Sequence, residues 1–152
     1  MMWNAKNYRF GFDPWGLALF LLIMLPNFVW FALPAPNDVL RDESVTPLID
    51  AIAQVFQIIV AASLCAVVNV TRDKPVGRRY LAGAAACVAL YFAGWAAYYA
   101  GIVNPSVILT LCLAPCGAFL VFALGRKNGI ALVSAGIFTL CHFIFATANF
   151  IL

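Results

Sequence analysis

The sequence predicts an all-α integral membrane protein: one bundle of five transmembrane helices, with a cytoplasmic N-terminus and an outside C-terminus. Composition is the first observation, because 65% of the 152 residues are hydrophobic and only 10% are charged, against about 25% charged in a soluble domain. The second is the length of the uncharged runs, which approach the roughly 20 residues that cross a bilayer core. The third is that the basic residues fall almost entirely in alternate connections.

Five apolar runs are separated by short polar connections. A backbone inside lipid has to satisfy its own hydrogen bonds, so each run is predicted to be a helix. Thr46 followed by Pro47 is typical of a helix start. The predicted helices cover about residues 15–33, 47–70, 80–102, 106–124 and 129–152, and they form a single transmembrane domain over 1–152.

The basic residues predict the orientation in the membrane. Of the nine lysines and arginines, only Arg41 falls in a connection on one side of the bundle. The other side carries Lys6, Arg9, Arg72, Lys74, Arg78, Arg79, Arg126 and Lys127. The positive-inside rule places that second side in the cytoplasm. The predicted location is a cell membrane, crossed several times, of the bacterial cytoplasmic type. The net charge of +3 is explained by this topology, and no nucleic-acid partner is predicted.

Polar side chains inside the runs share helix faces. In the second run, Asp50, Gln54 and Gln57 follow a 4-3 spacing, and in the fifth run His142 and Asn149 share a face of small and polar residues. Polar groups in hydrocarbon are costly without partners, so both faces are predicted to point inward. A rise of about 1.5 Å per residue places most of these groups in the outer half of the membrane. The predicted ligand-binding residues of an outward-facing pocket are Asn27, Asp50, Gln54, Gln57, His142 and Asn149.

Each of these residues also has a structural interpretation. His142 is either a metal ligand, proton carrier or ligand contact, or a neutral histidine bonded to an inward amide such as that of Gln57. Asp50 either complements the dipole at a helix start or binds a cation or a substrate amine at the mouth of the pocket. Gln54 and Gln57 are either ligand contacts or hydrogen bonds between helices.

A metal or redox site is a further hypothesis. Cys112 and Cys116 are four positions apart, so they share one side of a helix, and with His142 they make a soft ligand set for Cu(I), zinc or haem iron. The alternative is that these cysteines only pack the interior. All five cysteines fall within apolar runs, and free thiols are expected. The sequence contains no standard catalytic motif, so it gives enzymatic activity no support and indicates no cofactor.

The third run carries a ridge of alanines. Ala82, Ala86, Ala89, Ala93, Ala97 and Ala100 follow a 4-3-4-4-3 spacing. Small residues let membrane helices approach closely, so the ridge is predicted to pack inward or to meet a second copy or a larger membrane-protein partner.

The polar pocket and the alanine ridge together suggest two function classes. The leading one is binding of a small molecule or ion for sensing or transport, and the alternative is a non-catalytic subunit of a larger membrane complex.

Overall fold

The structure, a computed structural model, describes residues 5–71 and 76–152. The described part contains five helices that are long and apolar enough to cross a membrane. They are α1 (Pro14–Ala32), α2 (Pro47–Ala66), α3 (Arg78–Tyr99), α4 (Pro105–Gly125) and α5 (Gly129–Phe150). Two short strands, β1 (Tyr8–Phe10) and β2 (Val67–Asn69), form an antiparallel ribbon, and Ala5–Asn7 and Val39–Arg41 form 3-10 turns.

The second helix is shorter than predicted. It ends at Ala66 rather than near residue 70, because the chain that follows pairs with β1 in a register that sets Phe10 opposite Val67. The valines of β2 are β-branched and suit an extended backbone. Two backbone bonds extend this contact: the Gly11 N–H donates to the Ala66 carbonyl at 3.1 Å and the Asp13 N–H to the Cys65 carbonyl at 2.8 Å. The described fold is all-helical, as predicted, apart from this small ribbon.

Short polar side chains fix the starts of three helices. Asp13 accepts hydrogen bonds from the backbone amides of Trp15 and Gly16 at 3.1 and 3.3 Å. Asn104 accepts from the backbone amide three residues ahead, and Asn128 does the same at the start of α5. Such caps satisfy amides that have no partner inside the helix. The helix starts are consequently set by local sequence, and four of the five predicted helices agree closely with the observed bounds.

The helices pack as a ring in the order α1, α2, α5, α4, α3. The contacts of α3 with α4, α4 with α5 and α5 with α2 are extensive, whereas α1 contacts α2 less, and the contact between α3 and α1 that closes the ring is the sparsest of the five. The helix α4 is the most enclosed, because half of the residues in its 18-residue apolar stretch are buried. In the corresponding stretch of α1, 17% of the residues are buried. A ring of five helices leaves room at its centre, and this room holds the candidate site.

The two ends of the bundle differ in character. At the ribbon end, Tyr8 and Asn69 donate hydrogen bonds to the carbonyl of Lys127, which joins the ribbon to the α4–α5 connection. At the loop end, the backbone amide of Val45 donates to the Asn149 side chain at 2.8 Å. The N-terminal strand and the end of α5 therefore lie at opposite ends of the bundle. Arg72 and Lys74, which contribute to the predicted basic connection, lie outside the described residues.

The alanine ridge faces outward, which contradicts the prediction that it packs inward. Ala82, Ala86, Ala89, Ala93 and Ala100 are exposed and Ala97 is half-buried. The buried face of α3 carries Ala84, Tyr91, Gly94, Trp95 and Tyr98 instead. The wide centre of the ring explains the difference, because large aromatic side chains fill it where alanines cannot.

The helices α1 and α2 approach closely at Gly16. A Cβ atom added at this glycine would lie 2.2 Å from the carbonyl oxygen of Leu64. Such a distance is shorter than van der Waals contact, so only glycine allows this backbone-to-backbone approach. Gly16 is thus a packing residue of the ribbon-end half of the bundle.

Candidate functional site

A cavity of about 340 Å³ lies inside the ring near the loop end, and we call it the upper chamber. Its polar wall residues are Asn27, Asp50, Gln54, Gln57 and His142, and its aromatic wall residues are Trp30, Tyr91, Trp95 and Phe145. Leu40, from the α1–α2 loop, and Cys112, from α4, complete parts of the wall. The volume falls at the lower end of the range typical of small-molecule pockets, about 300–1,000 Å³.

A second cavity of about 240 Å³ continues deeper, and we call it the lower chamber. Both chambers share the wall residues Asn27, Gln57, Tyr91, Leu111 and His142. The lower chamber adds mainly apolar groups from positions nearer the ribbon end: Ile23, Met24, Phe119 and Phe138. The polar side chains therefore concentrate in the upper chamber and at its floor.

Five of the six residues that the sequence proposes for ligand binding line the upper chamber. Asn27 comes from α1; Asp50, Gln54 and Gln57 come from α2; His142 comes from α5. Their helical spacing identified them from the sequence. Polar side chains that share one face of an apolar helix need that face to point to the interior of the bundle.

Asn149 is the exception among the six. It lies near the end of α5, two turns beyond His142, in the wall of a separate recess at the loop end. Its side-chain oxygen accepts from the Val45 amide, and its amide nitrogen donates to the Thr46 hydroxyl at 3.0 Å. Asn149 therefore holds the start of α2 against the end of α5, rather than lining the chamber.

Asn27 and Tyr91 form the polar contact across the floor of the upper chamber. The Asn27 Nδ2 group donates to the Tyr91 hydroxyl at 2.8 Å and to the Ile23 carbonyl at 3.1 Å. Sequence reasoning missed Tyr91, because it assigned the inward face of α3 to the alanines. The tyrosine spacing on α3, with Trp95 four residues further on, was the available signal.

His142 lies in the wall of both chambers, with its ring packed against that of Phe138. Its ring lies 4.1 Å from the ring of Phe138, measured between centroids. Its Nδ1 atom is buried and has no hydrogen-bond partner within residues 5–71 and 76–152. The bond to Gln57 proposed from the sequence is not formed, since the Gln57 amide nitrogen instead contacts the Met24 sulfur at 3.6 Å. Both side chains nevertheless face the two chambers.

Asp50 is the charged side chain of the upper chamber wall. It is half-buried, and one hydroxyl, that of Thr46, donates to it at 3.3 Å. Arg41 and Arg126 form ion pairs with Asp38 and Asp13, respectively, and not with Asp50. Asp50 therefore lies in the wall without a cationic partner from the described part of the chain.

The α1–α2 loop is held over the upper chamber by Asp38, whose side chain is 10% exposed. One carboxylate oxygen accepts from the Trp30 indole at 2.8 Å and from the Tyr98 hydroxyl at 3.0 Å. The other accepts from the Arg41 guanidinium at 2.7 Å and from the Ala35 amide at 3.2 Å. Burial alone raises the pKa of a carboxyl, but these four donors outweigh it and hold the pKa of Asp38 below its ordinary value.

The same loop shapes the aromatic wall. The Leu40 amide donates to the Tyr98 hydroxyl at 3.1 Å, which fixes the Leu40 side chain at the chamber. The Arg41 guanidinium lies 4.7 Å from the centroid of the Trp30 ring and also donates to the Trp30 carbonyl. No periodic pattern in the sequence indicates these contacts, because a loop has no regular spacing of side chains.

The metal hypothesis finds no support in the geometry. Cys116 donates to the carbonyl of Cys112 at 3.1 Å and is fully buried. In the parts of the chain that the structure describes, no group of three or more His, Cys, Asp or Glu side chains is placed to hold a metal ion. Cys112, Cys116 and His142 are thus not brought together as a ligand set.

The upper chamber combines one carboxylate, three side-chain amides, one hydroxyl, an imidazole and four aromatic rings, and no lysine or arginine of the described residues lies in its wall. These groups suit recognition of a small molecule by hydrogen bonds, ring faces and a single negative charge. No protein-family model, curated protein or solved structure matches this chain.

Proposed function

We propose that this chain is a multi-pass protein of a bacterial cytoplasmic membrane that binds a small molecule or ion in the upper chamber. The N-terminus lies in the cytoplasm and the C-terminus outside, so the loop end and the chamber face the exterior. The support for this orientation is the charge distribution, with Arg41 the one lysine or arginine assigned to the outer side.

One observation carries the binding proposal. Three helices bring Asn27, Asp50, Gln57 and His142 to a single cavity of small-molecule size. Small-molecule sites typically combine a mostly apolar wall with a few placed polar groups, and this cavity has that composition.

Binding is the step that sensing and transport share. Many transporters are built from paired inverted repeats, which five helices do not provide within one chain. Transport by this protein would therefore use a dimer, whereas sensing needs only the chamber and a partner that reads its state.

Access from outside is tested with two neighbouring substitutions. Gln54 lines the upper chamber, while Val55 at the same depth is an exposed apolar position on another face of α2. We expect a membrane-impermeant maleimide, added to intact cells, to modify Gln54→Cys and not Val55→Cys, because thiolates form poorly in apolar surroundings. Peptide mapping by mass spectrometry identifies the modified cysteine. Equal modification of the two variants contradicts an aqueous chamber open to the outside.

Ligand binding is tested by a thermal-shift screen of chemically diverse small molecules on the purified protein in detergent. We expect compounds that raise the unfolding midpoint of the native protein to lose this effect in His142→Ala. The matched control is Thr147→Val on the same helix, whose hydroxyl bonds only the Phe143 carbonyl of its own helix. If no compound depends on His142, the binding proposal fails.

Orientation has its own test. A reporter enzyme that is active only outside the cytoplasm is fused after Leu152, and a second fusion is made in the connection that follows Asn69. We expect activity from the first fusion and none from the second. The reverse result inverts the proposed orientation and places the chamber on the cytoplasmic side.

A second candidate function, a non-catalytic subunit of a membrane complex, is favoured by the exposed alanine ridge of α3. Exposed small residues allow a second helix to approach closely. We expect Ala86→Leu with Ala93→Leu to lower the apparent mass of the native complex extracted from membranes. The control is Gly136→Leu, at an exposed position where an added Cβ meets nothing within 4 Å. An unchanged mass in the double variant removes this candidate.

A further inference from the structure

We infer that the ligand of the upper chamber is a small organic cation with one ammonium group, which binds through the carboxylate of Asp50. This inference rests on the proposed binding function and adds the chemical class of the ligand. It is carried by the charge, the rings and the size of the same cavity.

The charge of the wall selects for a cation. Of the described residues in the wall, Asp50 is the only aspartate, glutamate, lysine or arginine. It forms no ion pair with a described lysine or arginine. A half-buried carboxylate without a partner is costly, and a ligand of opposite charge removes that cost. An anionic ligand would meet this negative charge with no lysine or arginine in the wall to offset it.

The aromatic residues suit an ammonium group. Trp30, Tyr91 and Trp95 form a connected cluster, with the Trp95 ring centroid 6.3 Å from each of the other two. Ring faces attract cations, most strongly where water is excluded. The protein already uses this interaction at the edge of the chamber, where the Arg41 guanidinium lies over Trp30. A cation bound in the chamber shares a cavity with these rings and with Asp50.

The size and ligand set of the chamber argue against an inorganic ion. A volume of about 340 Å³ exceeds what a bare metal ion fills. Calcium takes six to eight oxygen ligands, and the described residues provide no group of three His, Cys, Asp or Glu side chains for a metal. One carboxylate with amides and rings instead matches a single organic charge attached to an apolar body.

The experiment compares three soluble probes of similar shape: benzyltrimethylammonium, benzyl alcohol and phenylacetate. Binding to the full chain in detergent is followed by quenching of tryptophan fluorescence, because Trp30 and Trp95 are in the wall. We expect saturable binding of benzyltrimethylammonium, weaker binding of benzyl alcohol and none of phenylacetate. Asp50→Asn keeps the side-chain shape and the acceptor for Thr46, and should weaken the cation by about tenfold or more while leaving benzyl alcohol unchanged.

The matched control is Asp42→Asn, which removes one negative charge from an exposed position of the same loop end. It should leave the affinity for benzyltrimethylammonium unchanged. Equal affinities for the cation and the alcohol, or no effect of Asp50→Asn, overturn the inference. When either of these results is found and both probes lose affinity in His142→Ala, the binding function stands and only the ligand class is wrong. If no probe binds saturably, the inference is overturned, and the screen that depends on His142 decides the binding function by itself.

Discussion

Asn27 of α1 donates a 2.8 Å hydrogen bond to the hydroxyl of Tyr91 on α3, across the sparsest contact of the helix ring. Further polar bonds span the same seam: Asp38 bonds both Trp30 and Tyr98, and the Tyr99 hydroxyl donates to the Leu33 carbonyl at 2.7 Å. Hydrogen bonds and aromatic contacts thus join α1 to α3 where few of their backbone positions lie close together. The seam also forms one wall of the upper chamber, so its stability and the shape of the site are linked.

The bond between Asn27 and Tyr91 should have a measurable coupling energy. We expect Tyr91→Phe and Asn27→Ala each to lower the unfolding midpoint in detergent. The double variant should be less destabilised than the sum, by about 0.6–1 kcal/mol, the usual value for such bonds inside membrane bundles. A double-mutant cycle on thermal or SDS unfolding measures this, and strict additivity would show that the bond contributes nothing.

Loss of Asp38 should loosen the loop that covers the upper chamber. In Asp38→Asn the side-chain oxygen still accepts from Trp30 and Tyr98, but the amide nitrogen cannot accept from Arg41 and Ala35. We expect a loss of about 1–2 kcal/mol of stability and weaker ligand binding. Asp42→Asn, at an exposed position nearby, is the control, and an equal effect of the two variants would contradict a specific role for Asp38.

The stabilisation from Asp38 should depend on pH. Its pKa is lower in the folded protein than the ordinary value of 3.8, so the folded state favours the charged form. The contribution is complete above the ordinary pKa and is lost as the pH falls through the lowered one. The difference in unfolding midpoint between native protein and Asp38→Asn should be constant from about pH 7 to about pH 5 and narrow only below 3.8. Narrowing near neutral pH would be inconsistent with a lowered pKa.

Gly16→Ala should disrupt the contact between α1 and α2. The added Cβ would lie 2.2 Å from the Leu64 carbonyl oxygen, so the helices must separate. We expect a loss of about 1–3 kcal/mol, as for other overpacked interiors. The control is Gly136→Ala, where the added Cβ meets nothing within 4 Å, and which should be neutral or slightly stabilising by helix propensity. Unfolding midpoints in detergent test both, and similar midpoints would show that the close approach is not required.

Asn149→Ala should release the start of α2 from the end of α5. The variant loses the bonds to the Val45 amide and the Thr46 hydroxyl. We expect faster proteolytic cleavage within residues 34–46 and a loss of about 1–2 kcal/mol. Thr147→Val on the same helix is the control. Unchanged cleavage would mean that the loop is held mainly by Asp38.

The polar candidate residues were predictable because each sits in an apolar run. A buried amide, carboxylate or imidazole has few acceptable positions in a membrane helix, so the spacing of Asp50, Gln54 and Gln57 is enough to define an inward face. Their convergence with His142 follows once the helices form one ring. Asn149 shares the same helical face as His142, but it lies too near the helix end to reach the chamber, and spacing alone does not measure that limit.

Other features required long-range information. The inward face of α3 was assigned to alanines because small residues favour close packing, but in a wide ring Tyr91 and Trp95 fill the interior. The contacts of Asp38 join a loop to two helices that are distant in sequence. Residues 67–69 looked like the end of a helix because their valines are apolar, and only pairing with residues 8–10 makes them a strand.

The position of α5 between α2 and α4 has a consequence for biogenesis. α2 packs mainly against α5, yet α5 is the last of the five helices that a ribosome makes. If the helices enter a membrane as we propose, Asp50 and the glutamines of α2 have no His142 opposite them while α3 and α4 are being inserted, and they border lipid, water or an insertion chaperone. A nascent chain stalled before Gly129 should therefore stay attached to the insertion machinery, and release should coincide with arrival of the final helix.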